Sequence, residues 1–454
     1  MKIHLIAIGG SAMHNMALAL NIKGYVVTGS DDEINEPSKS RLAAAGLLPD
    51  KIGWIPEKIH PDLDAVILGM HARQDNPELI RAKELNLKIY SYPEYVYEQS
   101  KTKTRVVIGG SHGKTTITSM VLHALHCAGI NSDYLVGAQL KGFDTMVKFS
   151  EEANISVIEG DEYLSSPIDR RPKFHLYKPS IGLISGIAWD HINVFPTFEN
   201  YVEQFRIFID LIEEGGTLIY CNDDSVLKTL AEKTKCKGKK ISYSIPEHQI
   251  ENGKTLLLHQ GLSYPLKIFG KHNLMNLAGA LLVCQELGIQ QKDFYGFMTS
   301  FEGAAKRLEL VSETDKFSFF KDFAHSPSKL KATISAVKNQ FPFRSLVAAV
   351  ELHTFSSLNE SFLEEYRDSM NEADEAIVYF NPHTIEHKKL KPITVSQVRS
   401  AFGNHLNLIV MTESKQVSDF LISQKWMQKN LLMMSSGNFD GIDFHALSEK
   451  LAIS

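Results

Sequence analysis

The sequence has few of the features that mark a secreted, membrane-spanning or nucleic-acid-binding protein. Its 454 residues include only four cysteines, with no C-x-x-C pair, so neither a disulfide framework nor a cysteine zinc site is indicated. No apolar run approaches membrane-spanning length, and the first one, residues 5–8, ends at two glycines too early for a signal peptide. The net charge of −5, without a long lysine or arginine run, argues against a nucleic-acid surface. We therefore expect a cytoplasmic protein that acts on small molecules, with no nucleic acid and no membrane as partner.

The most informative stretch is residues 106–116, which read Val-Val-Ile-Gly-Gly-Ser-His-Gly-Lys-Thr-Thr. The β-branched run predicts a buried strand, the glycines let backbone N–H groups turn inward, and the helix that follows favours an anion at its N-terminus. Lys114 would contact the β- and γ-phosphates, and Thr115 would contact Mg²⁺. Ile108 stands where the general pattern has a glycine, so the loop is a shortened variant. An ordinary Gly-rich turn with a surface lysine is the alternative to the triphosphate site that we predict.

Length and pattern predict three α/β domains. The chain begins with a strand, a turn at Gly9 and Gly10, a helix, and a second strand that closes at Asp31. That is the distance expected for a ribose-binding carboxylate, although the third glycine of the fingerprint is missing and a plain βα turn stays possible. A polar segment, residues 98–104, separates this unit from the phosphate loop, and the α/β pattern restarts beyond Arg307. The pattern also predicts a helix over 16–22, a helix capped by Asn76, strands over 155–159 and 317–322, short β segments joined by turns over 241–266, and a helix over 361–371. The predicted domains are residues 1–100, 101–305 and 306–454.

Acidic side chains follow two apolar strands of the middle region. Glu159, Asp161 and Glu162 come at the end of one strand, and Asp190 and His191 come after the next. Because the carboxyl ends of parallel strands share one edge of a sheet, these side chains are expected to meet there, where carboxylates suit Mg²⁺ bridged to phosphate. The alternatives are surface caps for Asp161 and Glu162, a turn former for Asp190 and a loop histidine for His191.

Two asparagines open a helix further along the chain. Asn273 and Asn276 are three residues apart, so they share a helix face from which their amides could read an adenine edge. A helix N-cap pair without a ligand is the alternative.

Taken in order, the motifs resemble those of the Mur ligase family, ATP-dependent enzymes that join amino acids or peptides to UDP-N-acetylmuramic acid. The resemblance rests on the phosphate loop, Glu-Gly-Asp-Glu at 159–162, Asp190-His191, Gly-Lys-His-Asn-Leu-Met-Asn at 270–276, Arg307, and Asp-Phe-Ala-His-Ser-Pro at 322–327. It implies a three-domain architecture: an N-terminal Rossmann-like domain for the UDP-sugar, a central P-loop ATPase domain, and a C-terminal Rossmann-like domain for the amino component.

The resemblance also implies residue roles, with ATP and Mg²⁺ as cofactors. The implied catalytic residues are Lys114, Glu159, His191, Arg307 and His325. The implied nucleotide contacts are Gly110, Ser111, His112, Gly113, Lys114, Thr115, Thr116, Asn273, Asn276, Arg307 and Asp322. Metal would be held by Thr115, Glu159 and His191, and the UDP-sugar by Gly9, Gly10, Ser11, Ala12, Met13 and Asp31.

The resemblance leaves two acceptors open. Most members that add the second or later groups carry a modified lysine in the helix after the Asp-His pair, and Phe205 stands at that place here. This resembles the branch that adds either L-alanine or a whole recycled tripeptide. Residues 159–163, 169–174 with 177–179, and 434–442 look like the tripeptide-adding members, whereas Ala12 and the Val350-Glu351-Leu352-His353 stretch depart from the usual pattern.

The resemblance therefore implies an ADP-forming ligase that joins L-Ala-γ-D-Glu-meso-diaminopimelate to UDP-N-acetylmuramate through an acyl phosphate, in peptidoglycan recycling. Its alternative is an L-alanine ligase of precursor synthesis. From other classes, a regulatory nucleotide-binding module or a P-loop transport ATPase is less consistent with the motif set. We expect a monomer or a weak homodimer.

Overall fold

The computed structural model of the protein describes residues 1–70, 72–138, 143, 145–189, 194–303, 308–403 and 405–451. These residues divide into two compact units. The first contains Met1–Pro246 and Met275–Met298, and the second contains Glu247–Leu274 and Thr299–Ser454. Within the described ranges, no helix is long and apolar enough to cross a membrane.

The chain starts with a four-stranded parallel sheet in the order β2-β1-β3-β4. Its strands are β1 Lys2–Ile6, β2 Val26–Ser30, β3 Ala65–Leu68 and β4 Ile89–Ser91. Its helices are α1 Ser11–Ile22, α2 Ser38–Ala44, α3 Pro77–Glu84 and α4 Tyr92–Ser100, with a 3₁₀ turn at Pro56–Lys58. The predicted βαβ start is confirmed, but α1 begins directly after the glycine turn rather than at Met16. The predicted cap of α3 is also confirmed, because the Asn76 side chain accepts from two backbone N–H groups of its first turn.

The first unit also contains a seven-stranded sheet in the order β11-β10-β9-β5-β8-β6-β7, parallel except for the edge pair β6–β7. The strands are β5 Thr104–Gly109, β6 Asp133–Leu135, β7 Val147–Lys148, β8 Ile155–Glu159, β9 Ile181–Ile184, β10 Thr217–Cys221 and β11 Lys239–Tyr243. The helices are α5 Lys114–Cys127, α6 Lys173–Leu176, α7 Phe198–Asp210, α8 Ser225–Lys233, α9 Lys271–Glu286, which crosses into the second unit, and α10 Gln291–Met298.

The middle strand of this sheet is β5, and its apolar residues Val106, Val107 and Ile108 are fully buried. Because β8 and β9 flank β5, the carboxyl ends of these three parallel strands lie side by side. That edge is where open α/β sheets bind ligands. The short β segments predicted over residues 241–266 are confirmed. The first of them belongs to the large sheet as β11, and the others form a separate sheet.

The second unit has two sheets. A three-stranded antiparallel sheet contains β12 His248–Glu251, β13 Lys254–His259 and β14 Leu262–Leu266. A six-stranded sheet has the order β15-β16-β20-β17-β18-β19, with only β15 antiparallel to its neighbour. Its strands are β15 Glu309–Thr314, β16 Phe317–Asp322, β17 Ser345–Leu352, β18 Glu375–Phe380, β19 Leu408–Met411 and β20 Lys429–Met434. The helices are α11 Pro327–Gln340, α12 Glu360–Leu363, α13 Pro382–His387, α14 Val395–Ala401, α15 Ser414–Ser423 and α16 Phe444–Leu451.

One predicted helix of this unit, residues 361–371, is wrong in length. After α12 the chain forms only a 3₁₀ turn, Glu364–Tyr366, and Asp368 then takes a positive φ of 60°. The buried Tyr366 ring stacks on Phe402, with 5.1 Å between ring centroids. This tertiary contact, which helical periodicity does not encode, draws the chain away from the helical path.

The α/β fold class is confirmed, with three sheets that are mainly parallel. The domain boundaries at 100/101 and 305/306 stay predictions. Helix α4 ends at Ser100, so the first boundary falls in the turn that precedes β5. The second boundary lies among residues 304–307, outside the described ranges.

Candidate active site

The phosphate loop connects β5 to α5 and depends on two glycines with positive φ. Gly110 has a φ of 123° and Gly113 a φ of 82°. A Cβ atom on Gly110 would lie 2.2 Å from the hydroxyl oxygen of Ser185, and one on Gly113 would lie 2.3 Å from the amide oxygen of Asn276. Both positions therefore require glycine for backbone conformation and for close approach.

The end of β9 anchors this loop. The Ser185 hydroxyl donates to the carbonyl oxygen of His112, and the backbone N–H of Ser111 donates to the Gly186 carbonyl at 3.0 Å. The Ser111 hydroxyl oxygen accepts from the Ala188 N–H at 2.8 Å. These contacts hold the loop in the concave form that can present N–H groups to an anion.

Lys114, the first residue of α5, lies among three carboxylates, of which Glu162 is buried. Its Nζ donates to the Gly110 carbonyl and to Oε2 of Glu162, both at 2.7 Å, and the Glu162 side chain is only 1% exposed. Burial alone would lower the pKa of Lys114, but the negative charges of Glu162, Asp161 and Glu159 outweigh it and raise the pKa, so the ammonium is kept. The alternative of a surface cap is wrong for Glu162.

Next to Lys114, the hydroxyl of Thr115 and the carboxylate of Glu159 are in hydrogen-bond contact. The Thr115 hydroxyl donates to Oε1 of Glu159 at 2.8 Å, and the N–H of Gly137 donates to Oε2 at 2.7 Å. Burial raises the pKa of Glu159, although the Gly137 N–H, Lys114 and Thr115 oppose it. In the ranges described, no three His, Cys, Asp or Glu side chains are placed to hold a metal. A hydroxyl and a carboxylate do fit Mg²⁺, which usually takes one or two carboxylates and completes its shell with phosphate and water.

Other predicted residues lie in several places. Thr116 is buried in α5, and the Asn276 amide lies against Gly113 at the end of the phosphate loop. The Asn273 amide donates to the Phe269 carbonyl at 2.9 Å, so part of its hydrogen-bonding capacity serves the start of its own helix. Asp190, His191 and Arg307 lie outside the described residues.

Asp322 and His325 follow β16 in the second unit. The two Asp322 oxygens accept from the N–H groups of Ala324 and Leu308, each at 2.6 Å. The His325 Nδ1 atom is 2.8 Å from the Phe323 carbonyl oxygen, to which its N–H donates. Both predicted residues thus lie at the carboxyl edge of their own sheet, and both are already oriented by local backbone contacts.

The glycine turn after β1 borders a separate pocket of about 840 Å³ in the first unit. Of the residues predicted to hold the UDP-sugar, Gly9, Gly10, Ser11 and Asp31 line this pocket, whereas Ala12 and Met13 do not, and their role stays a prediction. Met13 is 4% exposed and packs in the core. Asp31 binds the turn itself, because its Oδ2 accepts from the Gly9 N–H at 2.7 Å, and burial raises its pKa.

His14 and Arg41 also line this pocket and were not predicted from the sequence, nor was Asn15, which is buried beside them. His14 Nδ1 donates to the Gly10 carbonyl at 3.0 Å, and its Nε2 is 3.3 Å from an Arg41 nitrogen, so the ring is neutral; burial lowers its pKa. The Asn15 amide oxygen accepts both from Arg41 at 3.0 Å and from the Met146 N–H at 3.1 Å. The sequence signal that could have indicated them was the adjacent polar pair His14-Asn15, near the start of the helix that follows Gly9 and Gly10.

A parallel sheet that presents a glycine loop, a lysine and a threonine beside a buried carboxylate at its carboxyl edge defines a P-loop nucleotide-binding protein. Two families match the chain: the Mur ligase middle domain at residues 108–284 and the Mur ligase family catalytic domain at residues 2–104. A UDP-N-acetylmuramate–L-alanine ligase of Caldicellulosiruptor bescii is 32% identical over 394 residues, which cover 83% of each chain. The chain therefore belongs to the Mur ligase family, whose members are ATP-dependent ligases that form amide bonds in peptidoglycan synthesis.

Solved structures share the fold over the whole chain. A murein peptide ligase from Psychrobacter arcticus has a TM-score of 0.65 at 21% identity and covers 100% of this chain and 98% of its own. A UDP-N-acetylmuramate–alanine ligase from Thermotoga maritima has a TM-score of 0.70 at 18% identity, with the same coverage. At these identities the likeness concerns the fold, and both acceptor types share it.

Proposed function

We propose that this ligase joins a peptide, the tripeptide L-Ala-γ-D-Glu-meso-diaminopimelate, to the carboxylate of UDP-N-acetylmuramate with conversion of ATP to ADP and phosphate. The observation that carries the ATP-dependent half is the arrangement at the edge of the large sheet. Lys114, Thr115 and Glu159 lie together where a triphosphate would meet the N-terminus of α5.

The proposed reaction needs alignment and charge neutralisation more than covalent catalysis. A muramyl carboxylate oxygen attacks the γ-phosphorus of ATP, the bond to the β-phosphate oxygen breaks, and ADP leaves an acyl phosphate. The peptide amine then attacks the acyl carbon, loses a proton, and phosphate leaves through a tetrahedral intermediate. Lys114 would offset the repulsion between carboxylate and triphosphate, and the loop N–H groups would hold the phosphates in line.

Mg²⁺ would be held by Thr115 and Glu159, which offer the oxygen ligands described above. When bound, it would add positive charge beside the phosphates. The resemblance assigns a second ion to His191. It also assigns Asn273 and Asn276 to adenine, and Arg307, Asp322 and His325 to the nucleotide and amine.

The pocket beside β1 is the proposed UDP-sugar site. Gly9, Gly10 and Ser11 line it, and Arg41 supplies a cation. Because Asn15 joins Arg41 to Met146, which directly precedes β7 of the large sheet, this pocket is tied to the nucleotide-binding half of the same unit.

Phe205 supports the branch of the family that lacks the modified lysine. It is fully buried in α7, with its ring 5.2 Å from that of Tyr201 and 5.5 Å from that of Phe174. The motif similarities at 159–163 and 169–179 favour the tripeptide as acceptor. L-Alanine is the second candidate, favoured by the name of the relative that is 32% identical.

The test is phosphate release from ATP and UDP-N-acetylmuramate, with either the tripeptide or L-alanine as acceptor. Release that depends on the tripeptide would support the proposal, and release with L-alanine alone would move the protein to the first step of precursor synthesis. Reactions without the UDP-sugar serve as the control. Release with neither acceptor would contradict both candidates.

A further inference from the structure

We infer that Glu162 and Tyr201 are positioning residues for Lys114, and that they set where its ammonium points during phosphoryl transfer. The inference rests on the proposed role of Lys114 at the nucleotide phosphates. Neither residue was assigned a role by the motifs.

A directed chain of hydrogen bonds links these residues to the phosphate loop. Ser111 accepts from the Ala188 N–H at 2.8 Å, so its own hydroxyl hydrogen can donate to the Tyr201 oxygen at 2.9 Å. The Tyr201 hydroxyl then donates to Oε1 of Glu162 at 3.1 Å, and Oε2 of Glu162 accepts from Lys114 at 2.7 Å. Each hydroxyl in this order accepts one hydrogen and donates one, which is all that its chemistry requires.

Burial makes this chain a constraint on geometry. Tyr201 is fully buried and Glu162 is 1% exposed, so neither side chain can turn to water for its hydrogen bonds. The Tyr201 ring is itself held by Phe195 and Phe205, with ring centroids 5.4 and 5.2 Å away. The carboxylate therefore has a fixed place, and the flexible Lys114 stem is held against it.

Within the described part of the chain, the Lys114 ammonium has two hydrogen-bond acceptors, which leaves one N–H direction for a ligand. Of its three N–H donors, one goes to the Gly110 carbonyl and one to Glu162. The third can then point only into the remaining sector, and we place the γ-phosphate there. Without the negative charge of Glu162, Lys114 would still attract a triphosphate but would no longer be held in one orientation, and a carboxylate that repels the phosphates would be gone.

Breaking this chain of hydrogen bonds should therefore lower turnover without weakening the binding of ATP. For Glu162→Gln we expect kcat to fall by roughly 10- to 100-fold while the KM for ATP stays unchanged or decreases, because the lost effect is orientation in the transition state. Tyr201→Phe, which removes only the hydroxyl, should lower kcat by about 3- to 10-fold with the same KM. The double variant should be no slower than Glu162→Gln alone, because both changes break one chain.

The matched control is Glu203→Gln on the exposed side of α7. Glu203 pairs with Arg206 at 2.7 Å, and its side chain is 47% exposed, so turnover should stay at the wild-type value. Binding of ATP to the wild type and turnover of Lys114→Ala are measured in parallel. If ATP does not bind, or if Lys114→Ala retains turnover, the proposed function fails and this inference with it.

If those two measurements behave as expected, the inference stands or falls by itself. Wild-type kcat in both Glu162→Gln and Tyr201→Phe would overturn it. So would a loss confined to KM together with a lower melting temperature, because that pattern describes a structural role only. Multiplicative rather than shared losses in the double variant would also overturn it.

Discussion

Replacement of Gly113 by alanine tests the geometry of the phosphate loop, and Gly129 offers a matched control at the other end of the same helix. Gly113 has a φ of 82° and Gly129 a φ of 70°, so an alanine at either position adopts a left-handed conformation. That conformation costs about 1–2 kcal/mol for a residue with a Cβ atom. The backbone strain is therefore similar in the two variants.

The surroundings of the two glycines differ. A Cβ atom at Gly129 meets nothing within 4 Å among the residues that the structure describes, whereas one at Gly113 would lie 2.3 Å from the Asn276 amide oxygen. We expect Gly129→Ala to lose about 1–2 kcal/mol of unfolding free energy with full turnover. Gly113→Ala should lose roughly 1–3 kcal/mol more from overpacking. Its turnover should fall at least about 100-fold, because displacement of the loop misplaces the phosphates.

The measurements are urea unfolding for stability and ADP formation at saturating substrates for turnover. Adding Asn276→Ala to Gly113→Ala should recover the extra loss of stability but not the loss caused by positive φ. If Gly113→Ala unfolds like Gly129→Ala and turns over like the wild type, the loop does not approach Asn276 as described and the argument fails.

Three further predictions concern the site and its support. Lys114→Ala should lower turnover by roughly 1,000-fold or more while UDP-sugar binding persists, because the lost charge acts in the transition state. Replacement of the exposed Lys101 by alanine is the control and should have no effect. Near-normal phosphate release by Lys114→Ala would contradict the loop assignment. Thr115→Ala should raise the Mg²⁺ concentration needed for half-maximal activity and Thr115→Ser should not; an unchanged titration would count against a metal ligand. Burial lowers the pKa of His175 from 6.5 to about 4, with an opposing contribution from its hydrogen bond to the Gln204 carbonyl. Between these two pKa values the unfolded chain binds more protons than the folded chain. The free energy of unfolding should therefore fall by about 2 kcal/mol from pH 7 to pH 5. His175→Gln should make the free energy of unfolding, measured by urea titration, less dependent on pH over this range.

The local sequence pattern was sufficient to predict much of the α/β fold. The alternation of short apolar strands and amphipathic helices predicted an α/β fold, and the strands Ile155–Glu159 and Phe317–Asp322 were predicted with their observed bounds. Carboxylates directly after a buried strand must lie at the sheet edge, since strand direction and period place them there. The phosphate loop could be predicted for the same reason, because its glycines, lysine and threonine are neighbours in the chain.

Packing between distant segments decided the rest. Glu162 is 48 residues from Lys114, and Tyr201 is 90 residues from Ser111. Nothing in their local sequence separates a buried partner from a surface cap. The distinction arises only in the folded chain, where Tyr201 of α7 donates to Glu162 and both side chains are shut off from water.

The sequence by itself determined the order of the functional motifs along the chain: a glycine turn, then a phosphate loop, then acidic residues at strand ends. The tertiary structure alone decided which acidic residue holds the lysine, which tyrosine supports it, and that Asn276 faces Gly113. It did so because hydrogen bonds between buried groups are set by the distances between packed elements, and those distances depend on the whole fold rather than on residue spacing.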